Sequence, residues 1–560
     1  MKKPLLSELT LREKIGQTAL CQLNNPGIKE IEKYPYGSFW VTGDFNFGVI
    51  MDEVDQTSEK REKFIASIKA VNSRLKVPTI RAADCGTTVP SKDYGYVLDS
   101  LSVGSTGSEE YAYKTGLLRG KMLRSVGTNW VWSPICDIPA RDNSSILGRT
   151  YTDDPDKLLA MNIATMKGFQ DAGIAACAKH FPGEDGMEYR DAHFSETKNL
   201  STKEEWLKTQ GRMFQGMIDA GVETIMTAHQ CFPAIDNTTR NGRYVPATLS
   251  YKILTKLLKE EMGFKGVVIT DDVWMRSVGT YCGDDMSRVY VEAIKAGNDI
   301  ILGVKDFYFD AIEEAVLSGE IPMERIDDAC QRVLDLKEKI GVFDDDFELT
   351  KGDADEINAE CIAFNKEAAA KVPSLVCDEN KLFPLDPKKH KKVCIIYSGH
   401  DAEGEHKGYD SMQTFIKEFE KRGCEVTLKK GLLKSFASEA DLKEIAATHD
   451  LIIYAGFLKR WTPHGKCGFY GIEISTFQNA LRAGFEKSMG IGIGSPFMYY
   501  DFYSAFPTFI NIYNFFPEII EAAVAAMFGE IPFQGGEPFK LVPDYVKERL
   551  AMFGAVEEEK

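Results

Sequence analysis

The sequence predicts an α/β protein in two parts: an N-terminal (β/α)8 TIM-type barrel and a C-terminal three-layer α/β sandwich. Three observations carry this. Eight apolar strand-like runs alternate with helical segments through the first 340 residues, an acidic polar stretch follows, and then the alternation restarts with five shorter units. Apolar runs separated by helices imply parallel strands with crossover helices, and eight such units imply a barrel. The chain has 560 residues, too many for one core.

The eight runs are 16–23, 37–42, 77–84, 129–137, 175–181, 222–229, 266–271 and 298–303. Stretches of helical period lie between them, such as 203–219 and 251–262, and a helix at 324–340 closes this half. Residues 342–356 are acidic, and a helix over 357–370 follows them. The expected division is therefore a barrel over 1–345, a linker with a helix over 346–388 and a sandwich over 389–560. In the last part strands are expected at 392–398, 424–429, 450–456, 490–495 and 508–513. Helices are expected at 411–422, 437–447, 473–487 and 517–528. The run GIGIGS does not have the GxGxxG spacing of a dinucleotide site.

Charge and composition narrow the function. A net charge of −17 argues against nucleic acid and anionic membranes as partners, since both reward clustered Lys and Arg. The twelve cysteines contain no CxxC pair, which fits buried thiols in a reducing compartment. The opening MKKPLLSELTLREKIGQ lacks the long apolar core of a secretory signal. No apolar run approaches a membrane span, so a cytoplasmic location is expected.

In a barrel the active site lies at the carboxyl ends of the strands. Asp84 ends the third run and Asp137 the fourth, with Arg149 in the loop that follows. Lys179 and His180 end the fifth, and Asp191 and His193 lie in its loop. His229 ends the sixth, and Asp271 and Asp272 end the seventh. Helix caps also favour Asp at such places, and Asp272 suits that role better than Asp271. Five strand ends bearing charge or imidazole exceed what capping supplies. All three histidines of this half lie at or just past strand ends. The other five follow residue 389, in runs such as KKHKK that read as solvated surface.

A carboxylate at Asp271 can attack an electrophilic carbon or stabilise a cation. Asp191 and His193, two apart, share a face in an extended loop, so the carboxylate can orient the imidazole for proton transfer. An exposed polar loop is the plain alternative. His180, Glu184, Asp185, Asp191 and His193 offer metal-ligand chemistry, but no HExxH, HxH or CxxC spacing occurs. No metal and no cofactor is expected.

Several blocks in order, KHFPGEDGMEYRDAH, SPICDI, ILGRTYTDDP, IMTAH with Met226, CFPAID, PATLS and GFKGVVITDDVWM, resemble glycoside hydrolase family 3, of the β-N-acetylglucosaminidase type. The opening TLREKIGQ and closing GEIPFQGGEPFKL agree with it. The resemblance implies a retaining exo-β-N-acetylglucosaminidase (β-N-acetylhexosaminidase) acting on a small oligosaccharide or glycoside with a terminal β-linked N-acetylhexosamine. It implies Asp271 as nucleophile and His193, paired with Asp191, as general acid and base. Asp84, Arg149, Lys179, His180, Asp137, Met226 and His229 fall in its sugar-binding blocks. Phosphorolysis to a sugar 1-phosphate, β-glucosidase activity, or a catalytically weak sugar-binding protein are the alternatives. Two departures stand out. FPGHG of the type reads FPGED here, and DQEGG followed by an arginine reads DCGTTVPSKDYG, so at that strand end only Asp84 carries over.

Overall fold

All eight expected strands form in the barrel half, each as a buried core of its apolar run. The computed structural model describes residues 2–22, 29–41, 60–84, 96–139, 146–183, 188, 190–344, 352–401, 404–405, 409–430, 438–458, 479, 483–501 and 506–541. The strands are β1 (Ala19–Gln22), β2 (Ser38–Trp40), β3 (Ile80–Asp84), β4 (Trp130–Trp132), β5 (Cys177–Phe181), β6 (Thr224–Thr227), β9 (Val267–Thr270) and β10 (Ile301–Leu302). A small hairpin, β7 (Thr239–Arg240) and β8 (Arg243–Tyr244), interrupts the series. The parallel order is β10-β1-β2-β3-β4 in one sheet and β5-β6-β9 in another. Parallel bridges Trp130↔Ala175 and Ile269↔Ile300 join the two sheets at both ends. The strands are buried on both faces, which is why their sequences are apolar throughout. Leu20, Ile80, Trp130, Cys177, Met226, Val267 and Leu302 meet in one core cluster.

The first strand is shorter than its apolar run. Gly16 and Gln17 belong instead to a helix, Leu11–Gln17, because Thr10 and Glu13 close a capping box ahead of it and fix the backbone as helical. A Cβ on Gly16 would lie 2.0 Å from the Pro35 carbonyl oxygen, so only glycine fits there. The expected 203–219 helix is two helices, Lys203–Lys208 and Gln210–Asp219, broken at Thr209. Trp206 in the first piece donates its indole N–H to the Pro182 carbonyl at 2.6 Å. Lys252–Glu261 is a π-helix, and the helix after the acidic stretch starts earlier than expected, at Gly352. Cys85 and Cys467 lie outside the described residues, and the ten described cysteines are free thiols.

The remaining strands form a second sheet in the order β11-β17-β16-β15-β12-β13, with β14 also on β12. They are β11 (Ser374–Asp378), β12 (Lys392–Asp401), β13 (Gly404–Glu405), β14 (Glu425–Lys430), β15 (Leu451–Leu458), β16 (Ser488–Gly494) and β17 (Thr508–Asn511). The five expected strands pair in parallel, and β11, unforeseen, runs antiparallel on β17. Most of the expected 473–487 helix lies outside the described residues, and its end, Phe485–Lys487, is a 3-10 turn. The reading of the later histidines as solvated needs correction at two places. Burial pushes His390 below its ordinary value, and it accepts the Asp386 N–H; His449 bonds Thr427.

The chain forms two compact units. One comprises residues 1–97, 109–141 and 155–364, and the other 98–108, 142–154 and 365–560. Two excursions from the barrel half thus group with the C-terminal sheet. Within the first unit, Asp299 ties the strand that ends at Thr270 to its surroundings. It is fully buried and accepts from Val268 N at 2.9 Å, Lys259 Nζ at 2.7 Å and Arg325 at 2.6 Å. Burial opposes its charge, but Lys259 and Arg325 hold the carboxyl below its ordinary value. Replacing Asp299 with Ala removes the short ion pair of the buried Lys259, and should cost about 3–5 kcal/mol in urea unfolding. The folded carboxyl lies below its unfolded value, so this stability is present above the unfolded value and lost as pH falls.

Candidate active site

The strand ends converge on one ionised carboxylate, Asp271. Lys179 pairs with Met226 and Phe181 with Thr227, so His180 falls at a register shift in β5. Consecutive strand residues ordinarily point to opposite faces, and a bulge re-aims a side chain. Lys179 and His180 therefore both find carboxylates. Lys179 Nζ donates to Asp84 Oδ1 at 2.5 Å. The segment after β4 runs beside β5, with Cys177 N on Ser133 O, Lys179 N on Pro134 O and Cys136 N on Lys179 O. That run delivers the fully buried Asp137 to His180. Asp137 Oδ2 accepts the His180 N–H at 3.1 Å and Nδ1–H at 2.6 Å. The other ring nitrogen, Nε2, then lies 4.0 Å from Asp271 Oδ2.

Asp271 follows β9 directly. Its N–H donates to Thr227 O at 3.1 Å, and its Oδ1 accepts the Asp272 N–H at 2.8 Å. Its side chain keeps 25% of its accessible surface, so one side is open to a ligand. Burial pushes the carboxyl upward, but His180, His229 and Lys179 outweigh it and hold it below the ordinary value. His229 is buried, which pushes its imidazole down. Its Nε2 meets Asp272 O at 2.9 Å and its Nδ1 meets the Thr248 hydroxyl at 2.7 Å. Thr248 was not foreseen: it lies in PATLS, and nothing in that run marks a histidine partner. Asp272 corrects an expectation. Its Oδ1 accepts Trp274 N, which makes an Asx turn; the helix Arg276–Gly279 starts later with no side-chain cap.

The Asp191–His193 pair forms, but in a turn and not in an extended loop. Phe194 N and Ser195 N both donate to Asp191 O, and this curls the chain. Asp191 Oδ1 accepts His193 N at 2.9 Å and Nδ1–H at 2.6 Å. Burial pushes Asp191 up, and the bonds from His193 bring it below its ordinary value. The turn is fixed from outside, since Arg276 N donates to His193 O and Ser277 N to Ala192 O. Those are the free N–H groups of a helix start, so the His193 turn is stitched to the segment that follows Asp271. His193 acts electrostatically on His229 and Asp272. Glu188 is turned away onto Arg190 and the Lys198 N–H. Glu184 and Asp185 lie outside the described residues. Among the described residues no three His, Cys, Asp or Glu side chains group as a metal site.

One expected residue stands apart. Met226 is 1% exposed and packs in the core cluster, beneath the ring of charge. Arg149 ends the turn Leu147–Arg149 in the second unit. The remaining arrangement is an ionised carboxylate faced by imidazoles and an amine, with an Asp-held imidazole nearby. That set can attack an electrophilic carbon and move a proton.

Residues 10–336 match the family profile described as "Glycosyl hydrolase family 3 N terminal domain". A Cellulomonas fimi protein named beta-N-acetylglucosaminidase/beta-glucosidase is 25% identical over 498 residues, covering 84% of this chain and 85% of that one. A beta-hexosaminidase of Thiobacillus denitrificans is 32% identical over 195 residues, 35% of this chain and 52% of that protein. The chain thus spans about half of that relative's length. Among solved structures, a family 3 beta-N-acetylglucosaminidase from Paenibacillus sp. str. FPU-7 has a TM-score of 0.77 at 23% identity, covering 95% of this chain and 99% of that one. A beta-glucoside phosphorylase, BglX, has a TM-score of 0.80 at 23% identity, covering 96% and 95%. These two likenesses show the fold. No helix among the described residues is long and apolar enough to cross a membrane.

His180 stands first among the groups that lower Asp271. With His180 replaced by Gln the carboxyl should rise, so its ionised form is lost at a higher pH than in the parent. The acid limb of kcat/KM for an aryl glycoside should then move upward in pH. An unmoved limb would assign that limb to another group.

Proposed function

The chain belongs to glycosyl hydrolase family 3, and from that premise we propose that it is a retaining exo-β-N-acetylglucosaminidase. The carrying observation is the ionised Asp271 beside an Asp191-held imidazole. In the first step Asp271 attacks the anomeric carbon while His193 gives a proton to the departing oxygen, leaving a glycosyl ester on Asp271. In the second, His193 takes a proton from water, which opens the ester with net retention. Lys179 and Asp84 grip hydroxyls, and His180, oriented by Asp137, lies against the sugar next to Asp271. Arg149, Met226 and His229 are assigned to the sugar site by the family blocks alone.

The proposal extends to architecture and place. The bridges at both sheet ends support reading the eight strands as a closed (β/α)8 barrel, and the mostly parallel C-terminal sheet supports a three-layer sandwich. A cytoplasmic location and the domain limits 345 and 388 remain part of the proposal. An imidazole in the acid/base role opens a second reading. A spent His193 is neutral, so an anionic nucleophile meets less repulsion there than beside a carboxylate. Phosphate oxygen attacking the Asp271 ester would give a sugar 1-phosphate, the kind of activity named for the phosphorylase of similar fold.

The deciding assay is nitrophenol release from the β-N-acetylglucosaminide beside the β-glucoside, with and without phosphate. Hydrolysis of the acetamido substrate should dominate, phosphate should not stimulate it, and Asp271→Ala should abolish it. A preference for the glucoside, or a sugar 1-phosphate product, would replace the proposal by the corresponding alternative. His193→Ala should cut turnover about 10²–10⁴-fold on substrates with poor leaving groups. A dinitrophenyl leaving group, which needs no proton, should keep its glycosylation rate. An equal loss on both substrates would remove His193 from the acid role.

A further inference from the structure

The Asp191–His193 pair sits between two arms of one loop, and the far arm is built into the first unit. Lys198 bridges Cys231 in parallel. Cys231 N donates to Thr197 O at 2.9 Å, and Asn199 N to Cys231 O at 2.8 Å. The Lys198 ammonium lies 2.9 Å from Glu196 Oε1 and 5.2 Å from the centre of the Tyr244 ring. At the neck of the loop, Asn199 Nδ2 donates to Gly183 O at 3.3 Å.

The near arm reaches that base through Glu188. Its side chain is 7% exposed, and its two oxygens take four donors. Oε1 accepts Arg190 N at 3.0 Å and Arg190 Nε at 2.8 Å; Oε2 accepts Arg190 Nη2 at 2.5 Å and Lys198 N at 2.8 Å. One carboxylate thus joins the backbone N–H groups of residues 190 and 198, on either side of His193. Hydrogen bonds to an ionised group are the strong ones. Burial opposes the charge, and the bonds from Arg190 and Lys198 hold the carboxyl below its ordinary value. Glu188, Arg190, Glu196 and Lys198 all act on the buried Cys231 thiol, so they gather at one place in the first unit.

The pair needs such a hold. His193 keeps 40% of its side-chain surface, so packing alone does not fix it. A ring placed by hydrogen bonds is only as well placed as the backbone that carries them. A misplacement of about 1 Å can cost about a hundredfold in rate. The stitch from Arg276 N and Ser277 N fixes the crest of the turn, at His193 and Ala192; Glu188 fixes its two feet. We propose that Glu188 is a positioning residue, which holds the Asp191–His193 pair at the site by clasping the two arms of its loop. The inference rests on the proposed acid/base role of His193, and Glu188 itself touches no reacting atom.

The test compares phenyl and dinitrophenyl β-N-acetylglucosaminides on the full chain, in Glu188→Ala, His193→Ala and the double variant. Glu188→Ala should slow phenol release about tenfold or more. It should leave first-turnover release of dinitrophenol, which needs no proton, within about twofold of the parent. Added to His193→Ala, it should cost nothing further, because a group that acts through His193 then has nothing left to position. Amide exchange over residues 190–197 should quicken about tenfold or more in Glu188→Ala, a readout that requires no turnover. Glu188→Gln keeps the length and one acceptor oxygen, and serves if the alanine variant fails to fold; its phenol release should fall about threefold. An equal loss on both leaving groups, a full added loss in the double variant, or unchanged exchange would overturn the inference. If His193→Ala shows the leaving-group split and Glu188→Ala does not, this inference alone fails. If neither shows it, the acid role of His193 fails first.

Discussion

A carboxylate cannot stay ionised in a largely buried place unless cations face it. Removing one such ion from water costs several kcal/mol even after relaxation, and Asp271 stands where three apolar strands end. His180, His229 and Lys179 provide the opposing field. Each is then fixed by a further group: His180 by Asp137, Lys179 by Asp84, and His229 by Thr248 and the Asp272 carbonyl. Charge alternates outward from Asp271 through His180 to Asp137 and through Lys179 to Asp84, while His229 is held by uncharged groups. The nearest imidazole stays 4.0 Å away. The field that ionises Asp271 thus acts mainly at a distance and leaves the open oxygen able to reach an electrophile.

That alternation dictates backbone geometry. Two consecutive residues of one strand have to serve two different carboxylates, and the register shift at His180 supplies the needed turn. Asp137 reaches His180 only because residues 133–136 continue alongside β5 after β4 has ended. Below this polar tier the same strands are filled with Trp130, Trp132, Met226 and Ile269. A rigid apolar plug under a charged rim fixes the rim to within a rotamer. Asp299, gripped by two cations and by Val268 N, anchors β9 from the opposite side.

The strands and the charged strand ends were legible because both are local signals, readable over five to ten residues of apolar run and one terminal residue. The pairing Asp191–His193 was legible for the same reason, although the turn that makes it was not. What stayed hidden depends on distant chain. Thr248 meets His229 from nineteen positions away, and Asp99 meets Asn514 across 415. β11 was missed because its apolar pattern is inverted: Ser374 is the buried residue, bonded to the Tyr513 hydroxyl, while Leu375 faces out. The membership of 98–108 and 142–154 in the second unit leaves no trace in composition, since contacts alone define it.

The two chemical tasks fall on parts of different stiffness. The fixed charge, Asp271, sits at the end of a strand, with its N–H bonded to the neighbouring strand. The proton carrier of the proposed mechanism, His193, keeps 40% of its side-chain surface and sits on a turn held by Asp191 and by two N–H groups of a short helix. The proposed nucleophile gains from preorganisation, because the groups that hold it ionised need not move before it attacks. An acid that becomes a base must meet a departing oxygen first and then a water. It therefore needs solvent on one side and a partner on the other to hold its tautomer. Asp191 provides that hold at 2.6 Å and, kept below its ordinary value by the same bond, remains an acceptor through both states of the imidazole.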